Sequence, residues 1–339
     1  MSDAVNGAGS DGGNDAARGA VSGAGLAGDR TAADVDGGSP GGGAGALLIV
    51  GDVVTDVVAR HRTPLTHGTD TAAEIRTLPG GAGANAACWA ASTGCADVRL
   101  LGRVGADAAG WHEGRLRAAG VRPLLVVDDD AATATVVSLV DASAERTFLT
   151  DSGAVLRLCA ADWSAALLDG VGRLHISGYL FFTATSRHMV RAAVESAVAR
   201  GVPVSVDPAS AGFLANLGPE RFLAAADGVQ VLLPNADEAR LLTGVPDAEK
   251  AAAGLSRRFP LVVVTLGPDG ALVASDGAVT AHVPADPARA VDSTGAGDAF
   301  NGAFLATLLT GAGPVTAAAA GCRAGASAVA LPGGRPPLP

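Results

Sequence analysis

Lysine is nearly missing from this chain: Lys250 is the single one in 339 residues, against 23 arginines. That scarcity excludes two phosphate sites. No G-x-x-x-x-G-K-[ST] string occurs, and no strand carries the lysine that a protein kinase sets beside its nucleotide. A chain of this make-up can hold phosphate only with backbone amides, arginine and metal. Cysteine is scarce too, and Cys88, Cys95, Cys159 and Cys322 form no C-x-x-C pair. Their small apolar neighbours mark them as free buried thiols rather than disulfide partners or zinc ligands. No run of 18 or more apolar residues suggests a membrane span, and the N-terminus lacks the basic head and apolar stretch of a secretory signal. The formal net charge is −10, with Lys and Arg scattered, which argues against nucleic acid or an anionic membrane as main partner. A soluble cytoplasmic protein that handles small molecules is the expectation.

What is present is apolar mass, 48% of the residues, enough for a sizeable core. Residues 1–45 are Gly, Ala, Asp and Ser with almost no large apolar side chains, a composition that predicts a disordered tail. From residue 46 to 339 the chain reads as one domain. Ala46–Val50 is a short apolar run of the kind that forms a buried strand. Similar runs recur at Val98–Leu101, Leu174–Ile176, Val202–Val206, Val229–Leu233 and Leu261–Thr265, with helix-period stretches between them. This alternation predicts an α/β fold, a mainly parallel sheet covered on both faces, with ligands beyond the carboxyl ends of its strands. Segments of about 57–77 and 121–150 instead alternate polar and apolar residues. They predict exposed strands forming a small β-flap over the site, an edge of the main sheet being the other reading.

The most informative string is Val291-Asp-Ser-Thr-Gly-Ala-Gly-Asp-Ala-Phe-Asn-Gly-Ala-Phe-Leu305. A glycine-rich loop opens directly onto a helix. Gly295, Ala296 and Gly297 carry no bulk, so their N–H groups can approach an anion closely, and the helix N-terminus adds roughly half a positive charge there. Such a nest can hold the charge that grows on a transferring phosphoryl group. Asp298 stands at the helix start, either as an ordinary N-cap or as a base that accepts the proton of an attacking hydroxyl. A second glycine cluster, Gly80-Gly-Ala-Gly-Ala-Asn85, also runs into a helix. Gly81, Gly83 and Ala86 match the dinucleotide fingerprint G-x-G-x-x-A, although a charged segment ending in Pro79 precedes it instead of a first core strand. The reading preferred here is a close backbone approach to a polyhydroxyl substrate, with Asn85 hydrogen-bonding to it. A third piece, Asn235 to Glu238, spans one helical turn, and its side chains either reach a common Mg²⁺ or its waters, or form a capping box.

Taken together, these strings resemble the ribokinase-like (PfkB-type) family of carbohydrate and nucleoside kinases. Asp292–Leu305 matches the family's C-terminal signature and Gly80–Asn85 its N-terminal one. Leu101–Gly110, Pro234–Gly244 and Val264–Gly270 also look familial, so the likeness extends over about residues 46–335. The resemblance implies a three-layer α/β/α sandwich with a β-flap lid. It implies Asp298 as catalytic base, Gly295, Ala296 and Gly297 as anion hole, and Asp56, Gly80, Gly81 and Asn85 as binders of substrate hydroxyls. It further implies Asn235 and Glu238 organising Mg²⁺ and phosphate, Thr265, Gly267 and Gly270 at the ATP site, and Asp292 and Ser293, with the Ala330–Gly333 turn, holding a monovalent cation such as K⁺. Two departures count against ribose: Ala82 stands where ribokinases usually carry a lysine, and Leu174–Tyr179 lacks an acidic residue. Glu145-Arg146-Thr147 on the flap could meet an acidic or phosphorylated sugar, or be a solvated strand. The expected activity is transfer of the γ-phosphoryl of ATP to a sugar or sugar-like hydroxyl. A nucleoside kinase is the nearest alternative, ahead of a dinucleotide-dependent oxidoreductase and a non-catalytic sugar-binding protein. Lids of this kind can pair between subunits, so a homodimer belongs to the expectation.

Overall fold

The computed structural model describes residues 45–143 and 145–338. The tail expected over residues 1–45 falls, Gly45 apart, outside the described residues. Ala46–Val50 forms β1, buried on both faces in the interior of a large sheet, between the strands Val171–Ser177 and Val98–Gly105. A strand so placed shows no alternation, because neither face meets water. The chain then leaves that sheet for β2 (Val54–His61) and β3 (Ala73–Gly80), and α1 (Ala82–Ser92) returns it to β4 (Val98–Gly105). Next come α2 (Ala109–Ala118), β5 (Val121–Asp128), β6 (Ala134–Val140) and β7 (Arg146–Asp151). Strands and helices then alternate through β8 (Val171–Ser177), α3 (Ala184–Ala199), β9 (Val204–Asp207), α4 (Ala211–Leu217) and α5 (Pro219–Ala225). They continue with β10 (Val231–Leu232), α6 (Ala236–Thr243), α7 (Ala248–Leu255) and β11 (Leu261–Thr265). A hairpin of β12 (Ala271–Ser275) and β13 (Ala278–Val283) precedes the closing helices α8 (Ala296–Leu309) and α9 (Pro314–Val329).

Among the described residues the large sheet has nine strands in the order β13-β12-β11-β10-β9-β8-β1-β4-β5. Neighbours from β11 through β5 are parallel, and β12 and β13 are antiparallel additions at one edge. Helices cover both faces. Met189, Leu214, Phe222, Ala239 and Ala252 of α3 to α7 pack with Leu48 and Val50 in one core. Ala87, Leu116, Phe304 and Ala318 of α1, α2, α8 and α9 pack with Leu47 and Ile49 in the other. Cys88 and Cys322 are buried and Cys95 and Cys159 half-buried, all as free thiols. Among the described residues no helix is long and apolar enough to cross a membrane.

Helices α1 and α8 cross at Gly302, where a Cβ would collide with Ala86 O, Ala90 N and the Trp89 side chain. Both helices carry candidate site residues at their N-termini, so this contact fixes their spacing. Gly302→Val is expected to lower unfolding free energy by on the order of 2–3 kcal/mol, since overpacking at a backbone contact cannot relax by rotamer change. Chemical denaturation of the two proteins checks it.

The second sheet has the order β3-β2-β6-β7, with β2 and β6 parallel and both flanking pairs antiparallel. It contains the expected flap, with two corrections to its extent. Residues 121–128, expected in the lid, are β5, the edge strand of the large sheet, paired along its whole length with β4. Alternation states that one face of a strand meets water; it does not state which sheet the strand joins. The first lid segment also runs further than residues 57–77, from Val54 through Gly80.

Candidate active site

A cavity of about 460 Å³ lies between the lid and the carboxyl ends of β1, β8 and β9. Asp52, Gly81, Asn85, Tyr179, Asp207, Gly295 and Asp298 line its core side, and Asp56, Val136, Phe148 and Thr150 its lid side. A larger one, about 510 Å³, sits at the far end of the lid, lined by residues of His61–Leu65 and by Asp141, Glu145 and Thr147; of the candidates, only Glu145 and Thr147 of the flap border it, away from Asp298 and the glycine loops.

Asp298 is the third residue of α8, and the N-cap is Gly295 at φ 74°. The capping reading of Asp298 is thereby corrected. Gly295 is required twice over, by its left-handed backbone and because a Cβ there would collide with the Gly334 backbone. The amides of Gly297 and Asp298 belong to the first helical turn, which has no intrahelical acceptors for them. Asn85 Nδ2 donates to Asp298 Oδ2 at 2.8 Å. Asp298 keeps a face on the cavity but is enclosed elsewhere; burial pushes its pKa up to about 8 against the Asn85 hydrogen bond, helped by Asp207, Asp52 and Asp56.

The expected substrate residues converge here. Asp56 stands on β2 between Val136 and Leu78, and burial lifts it to about 6 while Arg335 draws it down. Gly80 packs against the Asp56 carboxylate, and Gly81 turns at φ 94° against Asp52 O, so neither leaves room for a side chain. Asn85, expected to meet substrate, has its amide committed: Nδ2 to Asp298, and Oδ1 accepting from Arg335 Nε at 3.3 Å. Gly81, Gly83 and Ala86 follow the lid strand β3, not a first core strand, which removes the basis of the dinucleotide reading.

Asp52 and Asp207 were not singled out in the sequence, yet both line the cavity. Asp52 accepts from the amides of Ala82 and Gly83 at 2.7 and 3.1 Å and from Ser177 Oγ at 2.8 Å, binding the start of α1 to the ends of β1 and β8. Asp207 accepts from Ala209 N at 2.7 Å and from Asn301 Nδ2, and burial raises it to about 6. The available signal was their position, each at or just beyond the end of an apolar strand.

The remaining candidates stand outside the cavity lining. Asn235 and Glu238 form the capping box of α6, with Asn235 Oδ1 accepting from Glu238 N and Glu238 Oε2 from Asn235 N, both at 2.9 Å. Burial first, then Asp207, lifts buried Glu238 to about 8. Asn235 also bridges to Thr265, and Gly267 and Gly270 flank the turn that follows β11 with φ 61° and 92°. These residues therefore gather at the carboxyl ends of β10 and β11. Asp292 accepts from Thr294 N at 2.8 Å, from Gly333 N at 3.1 Å and from Arg146 Nη2 at 2.8 Å, while Arg146 Nη1 reaches Thr294 Oγ1 at 2.9 Å. Burial opposes ionisation of Asp292, but these donors hold its pKa below the usual range. With a guanidinium already on it, Asp292 beside Ser293 does not fit a monovalent cation. Arg146 is neither a solvated charge nor turned to an anionic sugar.

Four carboxyls, Asp56, Asp207, Glu238 and Asp298, thus have folded pKa values above their ordinary ones. Between about pH 4 and 8 the folded chain holds more protons at these groups than the unfolded chain, so stability falls as pH rises through that window. The metal-free, ligand-free protein is expected to melt at a lower temperature at pH 8.5 than at pH 6. Calorimetry at the two values checks the sign.

The family model for pfkB family carbohydrate kinases matches residues 45–339. The chain belongs to that family. It is 31% identical over 272 residues to the ribokinase of Mus musculus, covering 77% of this chain and 81% of that one. It is 32% identical over 277 residues to a fructokinase of Klebsiella pneumoniae, covering 78% and 84%. A putative Ribokinase II from E. coli, solved in complex with ATP and Mg²⁺, superposes with a TM-score of 0.75 at 25% identity, covering 86% of this chain and 94% of that one. The protein is therefore a carbohydrate-kinase-type phosphotransferase with the ribokinase-like fold.

Proposed function

We propose that the chain transfers the γ-phosphoryl group of ATP to a hydroxyl of a sugar or sugar-like ring held in the 460 Å³ cavity, with Asp298 as general base. The observation that carries this reading is the Asp298 carboxyl in the first turn of α8, on the cavity and beside the amides of Gly297 and Asp298, which have no intrahelical acceptor. The acceptor O–H bond breaks and its proton goes to Asp298. The freed oxygen bonds to the γ-phosphorus as the bond to the β–γ bridging oxygen breaks, and ADP leaves with that electron pair. The loop amides face the charge spread over the equatorial phosphoryl oxygens. Asp56 and Gly81 would orient the ring, with Gly80 holding Asp56 in place. Thr265, Gly267 and Gly270 would border the nucleotide.

Mg²⁺ fits the donors present: Glu238 is a buried carboxyl whose affinity for protons is raised by burial and by the charge of Asp207, and a hard divalent cation would relieve that repulsion. Glu238, with Asn235, would hold the ion through its waters, and the ion would neutralise phosphate charge. Potassium forms no part of the proposal, because Arg146 neutralises Asp292. The test is ADP release over a panel of pentoses, hexoses, sugar acids, sugar phosphates and nucleosides with Mg²⁺. At least one acceptor is expected to raise ADP release well above the ATPase background; none doing so would overturn the reading.

A further inference from the structure

The chain has only twelve aromatic residues, eight Phe, three Trp and one Tyr. Four of them, Phe148, Tyr179, Phe182 and Phe213, line the one cavity that also holds Asp298. Tyr179 and Phe182 follow β8 and Phe213 lies in α4. Phe182 and Phe213 stack at 5.1 Å, and Tyr179 meets both edge-on at 6.0 and 5.8 Å. Mutual packing explains these three contacts but leaves Phe213 40% exposed. Phe148 stands apart: it projects from lid strand β7, is 55% exposed, and among the described residues makes no ring pair with the other three. Half-exposed aromatic surface on two sides of a cavity is surface waiting for a flat apolar partner.

Charge narrows the choice further. Among the described residues the lining contains five carboxyls, Asp52, Asp56, Asp151, Asp207 and Asp298, and no Lys, Arg or His. Arg146, the lid cation nearest the phosphoryl loop, is held by Asp292 and Thr294, and Arg335 by Gly80 and Asn85. An acidic or phosphorylated acceptor would be desolvated among like charges with no partner.

We propose that the acceptor is an uncharged sugar ring bearing a flat heteroaromatic group, in chemical terms a nucleoside, with the flat group between Phe148 and the Tyr179–Phe182–Phe213 wall. Its ring hydroxyls face Asp56 and Asp298 at the other end. The proposal rests on the kinase reading for its chemistry but not for its binding, so binding is measured separately. Titration calorimetry without ATP would compare inosine, uridine, ribose and ribose 5-phosphate. The nucleosides are expected to bind at least 10-fold more tightly than ribose, and ribose 5-phosphate more weakly than ribose. Phe148→Ala and Phe213→Leu are expected to weaken nucleoside binding, by roughly 5- to 100-fold for loss of a stacked ring, while leaving ribose unchanged. Phe148 is exposed on the lid, so its removal leaves the fold intact. Ribose 5-phosphate binding as tightly as the nucleosides would overturn the proposal, as would equal losses for ribose and inosine in either variant. If nucleosides bind in the expected way and no ADP forms with ATP and Mg²⁺, the kinase reading fails and the binding inference stands. If ADP forms only with an anionic sugar, the reverse holds.

Discussion

Asp298→Asn is expected to lower kcat by roughly 10²- to 10⁴-fold, the usual range for loss of a general base. The substitution is nearly isosteric, so the cavity keeps its shape, and the KM for ATP should stay within a few-fold of the parent value. Two further readouts separate lost chemistry from lost structure. In the parent protein kcat/KM should rise with pH along a limb centred near 8, because burial holds Asp298 protonated below that value and only the carboxylate can accept a proton. That limb should vanish in the variant. Stability should move the other way: a neutral amide removes a buried charge that the fold carries above pH 8, so the variant should melt at or above the parent temperature there. A variant that folds well and turns over at near-parental rates would show that Asp298 is not the base.

How much of this could be read beforehand depended on the range of the contacts involved. The parallel strands were legible because burial on both faces leaves a local mark, an unbroken apolar run such as Leu47–Val50. The glycine loop ahead of α8 was legible for a similar reason, since glycines running into a helix form one contiguous pattern. The capping box of Asn235 and Glu238 was also local, three residues apart. The lid was legible as exposed strand but not in extent, because period-2 alternation is shared by β5 at the main-sheet edge and by β6 in the lid. What stayed hidden were contacts made across the chain. Arg146 meets Thr294 from 148 positions away, and Arg335 meets Asn85 from 250 away. No spacing rule predicts such pairs, because the lid and the C-terminal turn reach the site only once the sheet has formed.

The Arg335 contact yields the second large expectation. Its Nε donates to Asn85 Oδ1 at 3.3 Å and its Nη2 to Gly80 O at 3.0 Å, while Nη1, buried, has no partner among the described residues. A guanidinium can only donate. The oxygen of Asn85 must therefore face Arg335, which leaves the Asn85 NH₂ for Asp298. The Gly334 backbone, against which the Asn85 amide packs, closes the remaining side. In Arg335→Met that orientation is no longer enforced. Turned over, Asn85 would place its oxygen against the Asp298 carboxylate, and the pKa of Asp298 would climb further above 8. Asp56 would rise with it, because Arg335 is the positive charge that lowers its pKa. A base whose pKa rises is less ionised at neutral pH. If the limb moves up by one pH unit, kcat/KM at pH 7 falls about 10-fold, the equivalent of roughly 1.4 kcal/mol, and much of the loss returns at pH 9. Arg335→Lys, which keeps the charge and a donor, should recover part of the difference. Global stability need not fall, because the substitution removes a buried donor that has no acceptor. A uniform loss at pH 7 and pH 9, with the limb unmoved, would mean that Arg335 merely fills space behind the Gly80–Asn85 segment.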